Sequence, residues 1–470
     1  MNNKVVLDVW VSDLTFPGYM DRWAKLAAEF EELHPDYEVK LRGLAFFTGP
    51  QEIATGIAEG NGPAIAEYYS YMSPTARDTR NPDGTLRYKS VEQAIGDRTE
   101  ILGEPVVVDD IISTMRHYYT YQDDLTSMPS MGTTSLLFAN KNILERAGIT
   151  KVPTTWDEVT AACEVIAAME DGPTNGITWS NHGTFIQQAI ASQGGHLVDN
   201  EDGRAGPATT VDLATKEMLA FVGWWRQLHE DGHYHYTGDI PGWEGTFRAF
   251  AEQNVAFRIS SSNDVNYMAS AAENAGFELV VGPFPYNSQV PYVGNAIAGT
   301  SLWLADGLEP AVEDGALAFL QFIHNPRNAA DRHKFNSFLP LTHACITVLE
   351  DEGWFSEYPF HQVATVHLAT YPDRPGSTEA PPSNVPVVGD YAGLQDVLTS
   401  AIGDVLTNGA DPIERLTQAT EQSQGLLDAY RADAADGGPT NQTSLRVEYY
   451  TDAKPYSGAD LENVVKLKQR

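Results

Sequence analysis

Aromatic and small polar side chains are the residues of this sequence best suited to a chemical task. Together they can hold a polyhydroxylated solute, whose C–H faces pack on flat rings and whose hydroxyl edges need fixed hydrogen-bond donors and acceptors. The sequence contains 9 Trp, 21 Tyr and 18 Phe. Most of these rings must belong to hydrophobic cores, because aromatic residues dominate core energetics. The aromatic residues that line a site must therefore be identified from their positions in the sequence.

The sequence carries no Gly-x-Ser-x-Gly elbow and no Gly-rich phosphate loop followed by Lys-Ser or Lys-Thr. With 64 acidic residues, neighbouring pairs such as Asp123-Asp124 are expected by chance. His233 and His235 would need a third metal ligand, which is not evident. Asp199–Gly203 resembles a calcium loop but lacks the Glu that closes one, so it is interpreted as a polar turn. We predict no enzyme, no metal site and no cofactor.

Length and charge narrow the class of protein further. A chain of 470 residues, 42% hydrophobic, can bury two substantial cores and is too long for one ordinary domain. No apolar run approaches the roughly 18 residues that span a bilayer. The formal net charge of -34 repels nucleic acid and anionic lipid, so neither is expected as a partner.

The two cysteines and the N-terminus add two expectations. Cys163 and Cys345 lie far apart and show no metal-ligand spacing, so each is interpreted as a buried free thiol. The opening MNNKVVLDVW has no apolar signal-peptide region. Either the protein is cytoplasmic, or this sequence starts after a removed signal segment.

Strand-like and helix-like stretches alternate, which predicts βαβ units and an α/β fold with largely parallel sheet. The polar stretch Pro74 to Gly103 is expected to be a surface insertion, and Thr440 to Arg470 an appended tail. The main predicted strands are Val5 to Val11, Tyr37 to Leu41, Ala64 to Tyr69 and Ser135 to Asn140, and the main predicted helices carry Trp23 to Leu33, Gln51 to Ala58, Trp156 with a Thr155 cap, Met218 to Trp225, Pro310 to Ile323, Leu394 to Leu406 and Ile413 to Tyr430.

Several motifs in this order resemble the extracellular solute-binding proteins of ABC importers, family 1, which includes the maltose-binding type. Within that family, the likeness is to the glycerol-3-phosphate-binding type, and it covers roughly residues 5 to 432. The motifs are Leu136 to Lys141, Ala147-Gly148-Ile149, Pro153 to Glu158, Ala298 to Trp303, Asn325 to Ala330, Phe338 to Thr342 and Gly353-Trp354-Phe355.

The resemblance implies a two-lobed periplasmic-binding-protein fold of the maltose-binding type with three interlobe crossings, near 133–135, 286–293 and 338–342. It also implies a small-molecule ligand between lobes that close by hinge bending, an ABC permease as partner, a monomer, and a periplasmic or membrane-anchored extracellular location. The implied divisions are 1–133 with 293–340 for the first lobe, 134–292 with 341–438 for the second, and 439–470 for the tail.

Matching to the glycerol-phosphate type implies a set of ligand-binding residues drawn from both lobes. Trp243 is added from its place in a loop alone. The set is Trp10, Ser12, Phe47, Tyr69, Ser70, Gly132, Thr133, His182, Phe185, Trp243, Ser260, Ser261, Ser262, Asn263, Gly299 and Phe338.

One departure from the family pattern bears on the ligand. The resemblance implies an Arg that contacts phosphate, and Val387 stands at that position. Val cannot replace the bidentate charge of a guanidinium. An anionic ligand would need another cation, and Arg258, Arg374 and protonated His182 are the candidates. We therefore predict a neutral carbohydrate or glycoside, with a glycerol 3-phosphate or phosphodiester ligand as the first alternative and a glycan-active enzyme as the second.

Overall fold

The computed structural model describes residues 4–14, 18–45, 48–369 and 385–436. Its strands are β1 (Val5–Asp13), β2 (Tyr37–Ala45), β3 (Ile65–Tyr69), β4 (Tyr88–Lys89), β5 (Glu100–Ile101), β6 (Glu104–Pro105), β7 (Thr120–Tyr121), β8 (Asp124–Leu125), β9 (Met128–Thr133), β10 (Ser135–Asn140), β11 (Asn175–Thr178), β12 (Val255–Ser261), β13 (Leu279–Pro283) and β14 (Ala298–Ala305).

The helices surround these strands, and α9 is a single turn of left-handed backbone rather than an ordinary helix. They are α1 (Tyr19–Leu33), α2 (Gly49–Ala58), α3 (Ser73–Asp78), α4 (Val91–Ile95), α5 (Ser113–Tyr119), α6 (Lys141–Arg146), α7 (Trp156–Ala167), α8 (Gly183–Ser192), α9 (Asp199–Gly203), α10 (Lys216–Glu230), α11 (Trp243–Ala251), α12 (Val265–Ala275), α13 (Pro310–Phe322), α14 (Pro326–Asn336), α15 (His343–Asp351), α16 (Trp354–Glu357), α17 (Phe360–Ala369), α18 (Tyr391–Thr407) and α19 (Pro412–Ala435).

Two sheets organise the fold, and each defines one lobe. In the first lobe the order is β2-β1-β3-β14-β4, with β9 also paired to β14. Strand β1 is parallel to β2 and β3, whereas β14 is antiparallel to β3, β4 and β9. In the second lobe the order is β11-β12-β10-β13. The mixed α/β architecture agrees with the predicted fold class.

The chain passes between the lobes at three places. It leaves the first sheet between β9 and β10, and returns between β13 and β14. Helix α13 then packs on β1, whereas α17 packs on β13, so the third passage lies between these two helices. Within it, the Leu339 backbone N–H donates to the Gly132 carbonyl at 2.8 Å, and the Ile112 N–H donates to the Leu341 carbonyl at 2.9 Å. The predicted lobe boundaries stay predictions.

Each lobe has an aromatic core. In the first lobe, Phe30 of α1 meets Phe319 of α13 edge-on, with 5.2 Å between ring centroids. In the second lobe, Trp224 stacks between Trp156 and Trp179 at 5.0 and 5.5 Å. The predicted Thr155 cap is present, because its hydroxyl accepts from the Glu158 N–H at 3.2 Å. The apolar residues that recur at helical spacing therefore form the faces that pack into these two cores.

The prediction for residues 74–103 is wrong. Apolar side chains in this stretch belong to the hydrophobic cores, among them Tyr88, Val91, Ile95 and Ile101. Strand β4 also pairs with β14. The buried positions are spaced widely among polar residues, so local composition hides them. The predicted tail, 440–470, lies outside the described residues.

Cys163 and Cys345 are both free and buried, as predicted. Burial raises the pKa of each thiol to about 12, so neither is a reactive thiolate near neutral pH. Across the described part of the chain, we find no helix with both the length and the apolarity to cross a membrane.

Buried histidines lie beside the third passage between the lobes. The ring nitrogen Nδ1–H of His333 donates to the Phe338 carbonyl at 2.6 Å, and burial lowers the pKa of His333 to about 4. Burial, aided by the charge of Arg332, lowers the pKa of His324 to about 3. The ring of His361, whose pKa burial also lowers, lies 5.3 Å from that of His333.

These histidines predict a loss of stability in acid. A histidine in the unfolded chain has a pKa of about 6.5, whereas the pKa values of His333 and His324 in the folded state are lower. Below about pH 6.5 the unfolded chain therefore binds protons that the folded protein does not bind, and unfolding is favoured. Stability is therefore fully present above about pH 6.5 and falls toward about pH 4, by on the order of 2 kcal/mol for each of His333 and His324 between pH 7 and pH 5. Urea unfolding at several pH values measures this loss.

The comparison between variants isolates the histidine, since buried Glu67, whose pKa is raised by burial, acts in the opposite direction. His333→Gln should show a shallower loss of stability with falling pH than the parent protein. His343→Gln changes an exposed histidine and should keep the parent slope. Equal slopes for the parent and His333→Gln would contradict the prediction.

Candidate ligand-binding site

Most of the site residues predicted from the sequence lie at or near the facing edges of the two sheets. In the first lobe, β1 and β3 end at this edge, β9 ends at Thr133, and β14 begins at Ala298, paired with Thr133. In the second lobe, β10 begins at Ser135, paired with Ser261 at the end of β12. Ligands of α/β proteins bind outside the carboxyl ends of parallel strands. The two edges meet at Thr134, so the space between them is the candidate cleft.

Buried Glu67 organises the first-lobe edge. Its carboxylate accepts from the Ser12 N–H at 2.8 Å and from the Thr300 hydroxyl at 2.5 Å. Burial is the main influence on the carboxyl group and raises its pKa, while these hydrogen bonds act in the opposite direction. Ser12 is itself buried, and the structure gives its N–H, not its hydroxyl, to Glu67. The predicted Tyr69 is the last residue of β3, and the predicted Ser70 begins the turn that follows it.

A row of tyrosines crosses the cleft. Tyr69 and Tyr71 of the first lobe stack with 5.5 Å between centroids and 28° between planes. Tyr71 then meets Tyr391, the first residue of α18 in the second lobe, at 4.9 Å. The Tyr391 hydroxyl lies against Gly183 at the start of α8. Both lobes thus contribute to one aromatic surface.

A second aromatic group stands next to that surface on the second lobe. The His182 and Trp243 rings lie 5.1 Å apart, and Phe185 meets Trp243 edge-on at 5.5 Å. His182 caps α8, its Nδ1 accepting from the Thr184 N–H at 3.1 Å. Burial lowers the pKa of His182 to about 4, so the ring is neutral near pH 7. Phe185 is fully buried within the second-lobe core.

The predicted Ser-rich loop is pinned from below by a buried ion pair. Arg258, fully buried, lies 2.9 Å from the Asp264 carboxylate, which also accepts from the Ser260 hydroxyl at 2.5 Å. Ser262 ties the loop to the first passage, because its N–H donates to the Thr134 carbonyl at 2.7 Å and its hydroxyl accepts from the Thr134 N–H at 3.1 Å. Ser261 and Asn263 remain partly exposed at the cleft edge.

Gly132 and Gly299 pair where β9 meets β14. Gly299 has φ +149°, and a Cβ there would lie 1.9 Å from the Met131 carbonyl oxygen, so only glycine fits. Thr133 next to this pair is partly exposed. Phe338 is buried in the core, and its carbonyl is held by His333. These residues shape the passages between the lobes.

Two predicted residues stand apart from this cluster. Trp10 packs in a separate core cluster of the first lobe. The guanidinium carbon of Arg42 lies 4.3 Å from the centre of its ring. Phe47 lies outside the described residues. The ligand role of every member of the predicted set stays a prediction.

Five residues at or beside the cleft are absent from the predicted set: Glu67, Tyr71, Tyr118, Arg204 and Tyr391. Glu67 and Tyr71 flank the selected Tyr69 and Ser70, and Tyr391 follows the Val387 to Asp390 stretch. Proximity in sequence could have found these three. Nothing local in the sequence points to Tyr118 or Arg204.

Two of the cations proposed for an anionic ligand are unsuited to that role. Arg258 is buried and paired with Asp264, and His182 is neutral. Arg374 lies outside the described residues. Arg204 lies near Val387, but its Nη1 and Nη2 atoms donate to the Tyr118 and Val385 carbonyls at 3.0 and 3.1 Å.

Two α/β lobes joined by three passages, with aromatic and hydroxyl side chains between them, define a hinged binding protein. The family model described as bacterial extracellular solute-binding protein matches residues 25–360, so the chain belongs to that family. This result confirms the resemblance seen in the sequence.

The chain is similar to several known proteins in sequence or in fold. The sn-glycerol-3-phosphate-binding periplasmic protein of Salmonella typhimurium is 25% identical over 416 residues, covering 86% of this chain and 88% of the relative. The cyclic alpha-maltosyl-1,6-maltose binding protein from Arthrobacter globiformis superposes with a TM-score of 0.70 at 17% identity, covering 90% of this chain and 99% of that protein. UgpB from Mycobacterium tuberculosis, solved with glycerophosphocholine, gives a TM-score of 0.67 at 16% identity, covering 90% and 99%.

Proposed function

We propose that this protein is the solute-binding component of an ABC importer, and that it captures a neutral carbohydrate or glycoside in the interlobe cleft. The lobes close around the ligand by hinge bending, and the closed form presents it to the membrane permease. The protein acts as a monomer on the outer side of the cytoplasmic membrane, free or anchored. These assignments follow the family and the relatives named above.

The row Tyr69–Tyr71–Tyr391 is the observation that supports the carbohydrate ligand. Its rings come from both lobes, so a flat C–H face packed on them would contact both lobes at once. His182 and Trp243 extend the aromatic surface without adding a positive charge. Ser261 and Asn263 offer polar groups for ligand hydroxyls at the facing edge. Among the described cations that could bind a phosphate here, Arg258 is paired with Asp264, His182 is neutral, and Arg204 donates to two backbone carbonyls.

Calorimetry tests the proposal directly. A panel of neutral mono- and oligosaccharides is titrated beside glycerol 3-phosphate and glycerophosphocholine. Tight binding of a neutral saccharide, with weak or no binding of the phosphates, is expected. Tight binding of the phosphates alone would refute the carbohydrate ligand and leave the importer role in place.

The similarity to a glycerol-3-phosphate-binding protein supports the phosphodiester ligand as the second candidate. One structural observation favours it too: Arg204 is held beside the 385–387 segment, where Val387 replaces the expected Arg. Its two Nη atoms would have to leave the Tyr118 and Val385 carbonyls to bind a phosphate. The calorimetric panel separates the two ligands.

A glycan-active enzyme is the candidate of another class. It would release reducing sugar from an oligosaccharide that the cleft binds. A reducing-sugar assay over many equivalents of substrate should show no turnover. Sustained release would overturn the pure binding function.

Ser261 offers a clean test of the second-lobe edge. Ser261→Ala removes one partly exposed hydroxyl, so it should weaken saccharide binding by about 1 kcal/mol, or roughly fivefold. The melting temperature of the ligand-free protein should hardly change. Phe185→Ala is less informative, because that side chain fills the core.

Calorimetry and thermal melting give both values for Ser261→Ala. Ser356→Ala, at an exposed serine on α16, is the matched control and should change neither value. A large drop in melting temperature with unchanged affinity would show that Ser261 is structural.

A further inference from the structure

Contacts between the lobes continue beyond the aromatic row, along one side of the cleft. On the second lobe they come from Arg204, which follows α9, and from Tyr430 on α19. On the first lobe they are received by the ends of α3 and α5. Because each contact joins an element of one lobe to an element of the other, it exists only when the lobes are together.

Arg204 reaches from the second lobe to α5 of the first. Its Nη1 atom donates to the Tyr118 carbonyl at 3.0 Å, and its guanidinium carbon lies 4.3 Å from the centre of the Tyr118 ring. Its Nη2 atom donates to the Val385 carbonyl at 3.1 Å, so a second backbone carbonyl holds the guanidinium in place. The side chain of Arg204 thus ties the second lobe to the first-lobe backbone at Tyr118.

Tyr430 makes the second bridge. Its hydroxyl donates to the carboxylate of Asp78, the last residue of α3, at 2.8 Å. Its ring packs on Gly389 so closely that a Cβ there would lie 2.0 Å from the ring, so the ring has a fixed place on the second lobe. Beside it, the Arg77 guanidinium lies 3.7 Å from the centre of the Tyr121 ring.

We propose that Arg204 and Tyr430 form an interlobe clasp, which holds the two lobes closed through contacts that belong to the protein alone. The clasp deepens the proposed function, because it governs the open-to-closed ratio of the same cleft, yet it does not depend on which ligand binds. A ligand that binds only the closed form gains apparent affinity in proportion to the fraction closed. The clasp therefore scales the affinity for every ligand by one factor and leaves the preference among ligands unchanged.

Distance measurements on the ligand-free protein test the clasp without any ligand. Spin labels are placed on cysteines introduced by Glu59→Cys, at the end of α2, and Gln418→Cys, on α19, both exposed positions on opposite lobes. The natural cysteines are buried and stay unlabelled. Double electron–electron resonance then measures the distance between the two spin labels, which should be short in the closed form and long in the open form.

The parent protein should populate the short distance. Tyr430→Phe keeps the ring on Gly389 and removes only the hydroxyl, and it should raise the open-to-closed ratio about tenfold, the usual effect of losing one hydrogen bond to a charged group. Asp78→Ala should do the same. The two changes together should have little more effect than either one, because they remove the same contact.

Tyr358→Phe, at a partly buried tyrosine on the α16–α17 connection, is the control and should leave the distances unchanged. Arg204→Gln should also favour the long distance, but the conclusion does not depend on its folding. Distances unchanged in Tyr430→Phe and Asp78→Ala, or a parent protein found only at the long distance, would overturn the clasp. Failure of the carbohydrate ligand in calorimetry would leave these distances unaffected, so the two proposals fail separately.

Discussion

Tyr71→Ala is expected to weaken binding of the best saccharide ligand by about 2 kcal/mol, or roughly 30-fold. Tyr71 is the central ring of the row, stacked on Tyr69 at 5.5 Å and in contact with Tyr391 at 4.9 Å. Its removal takes away the ring contact between the lobes and, in the proposed site, part of the surface that the ligand would pack on. Both losses weaken the closed, ligand-bound form. Calorimetry on the variant measures the change.

Two controls separate the ring of Tyr71 from its hydroxyl and from general damage. Tyr71→Phe keeps the flat surface and should bind within about threefold of the parent protein. Tyr358→Ala removes a tyrosine of similar burial outside the cleft and should leave the affinity unchanged. If Tyr71→Ala binds every saccharide of the panel as the parent does, the aromatic row is not the ligand surface.

Local patterns were enough to predict the layered fold. Apolar residues at strand spacing or at helix spacing report which face of the element is buried, and a Thr before an acidic turn reports a helix start, as at Thr155. The ordered motifs added the two-lobed arrangement. The strand ends at Tyr69, Thr133 and Ser261 fall at facing sheet edges, and their role in binding stays a prediction.

Partners across the cleft could not be predicted in the same way. The contact between Tyr71 and Tyr391 joins segments that lie far apart in the sequence, and no local pattern encodes which distant ring a tyrosine will contact. Burial is equally non-local: Phe185 could have been a ligand platform or core, and only the packed lobe decides. The buried apolar side chains of residues 74–103 were missed for the same reason, since their partners lie far along the chain, as β14 does for β4.

Asp264→Ala is expected to lower the free energy of unfolding by about 3–5 kcal/mol. Arg258 is fully buried, and Asp264 is the carboxylate 2.9 Å from its Nη1 atom. Removing the carboxylate leaves a charge out of water without its ion-pair partner, and it also removes the acceptor of the Ser260 hydroxyl. Urea unfolding measures the loss. Glu230→Ala, which breaks the exposed pair with Arg226 on α10, should cost less than about 1 kcal/mol.

The double variant Arg258→Met with Asp264→Leu distinguishes the cost of a stranded charge from the value of the pair. Apolar side chains of similar size avoid the desolvation of both ions, so this variant should recover most of the stability that Asp264→Ala loses. The Ser-rich loop would then lack its anchor at Ser260, and saccharide binding should stay weak although the fold is restored. Recovery of stability together with full affinity would show that the ion pair serves the core alone, and that the loop keeps its place through Ser262 and Thr134.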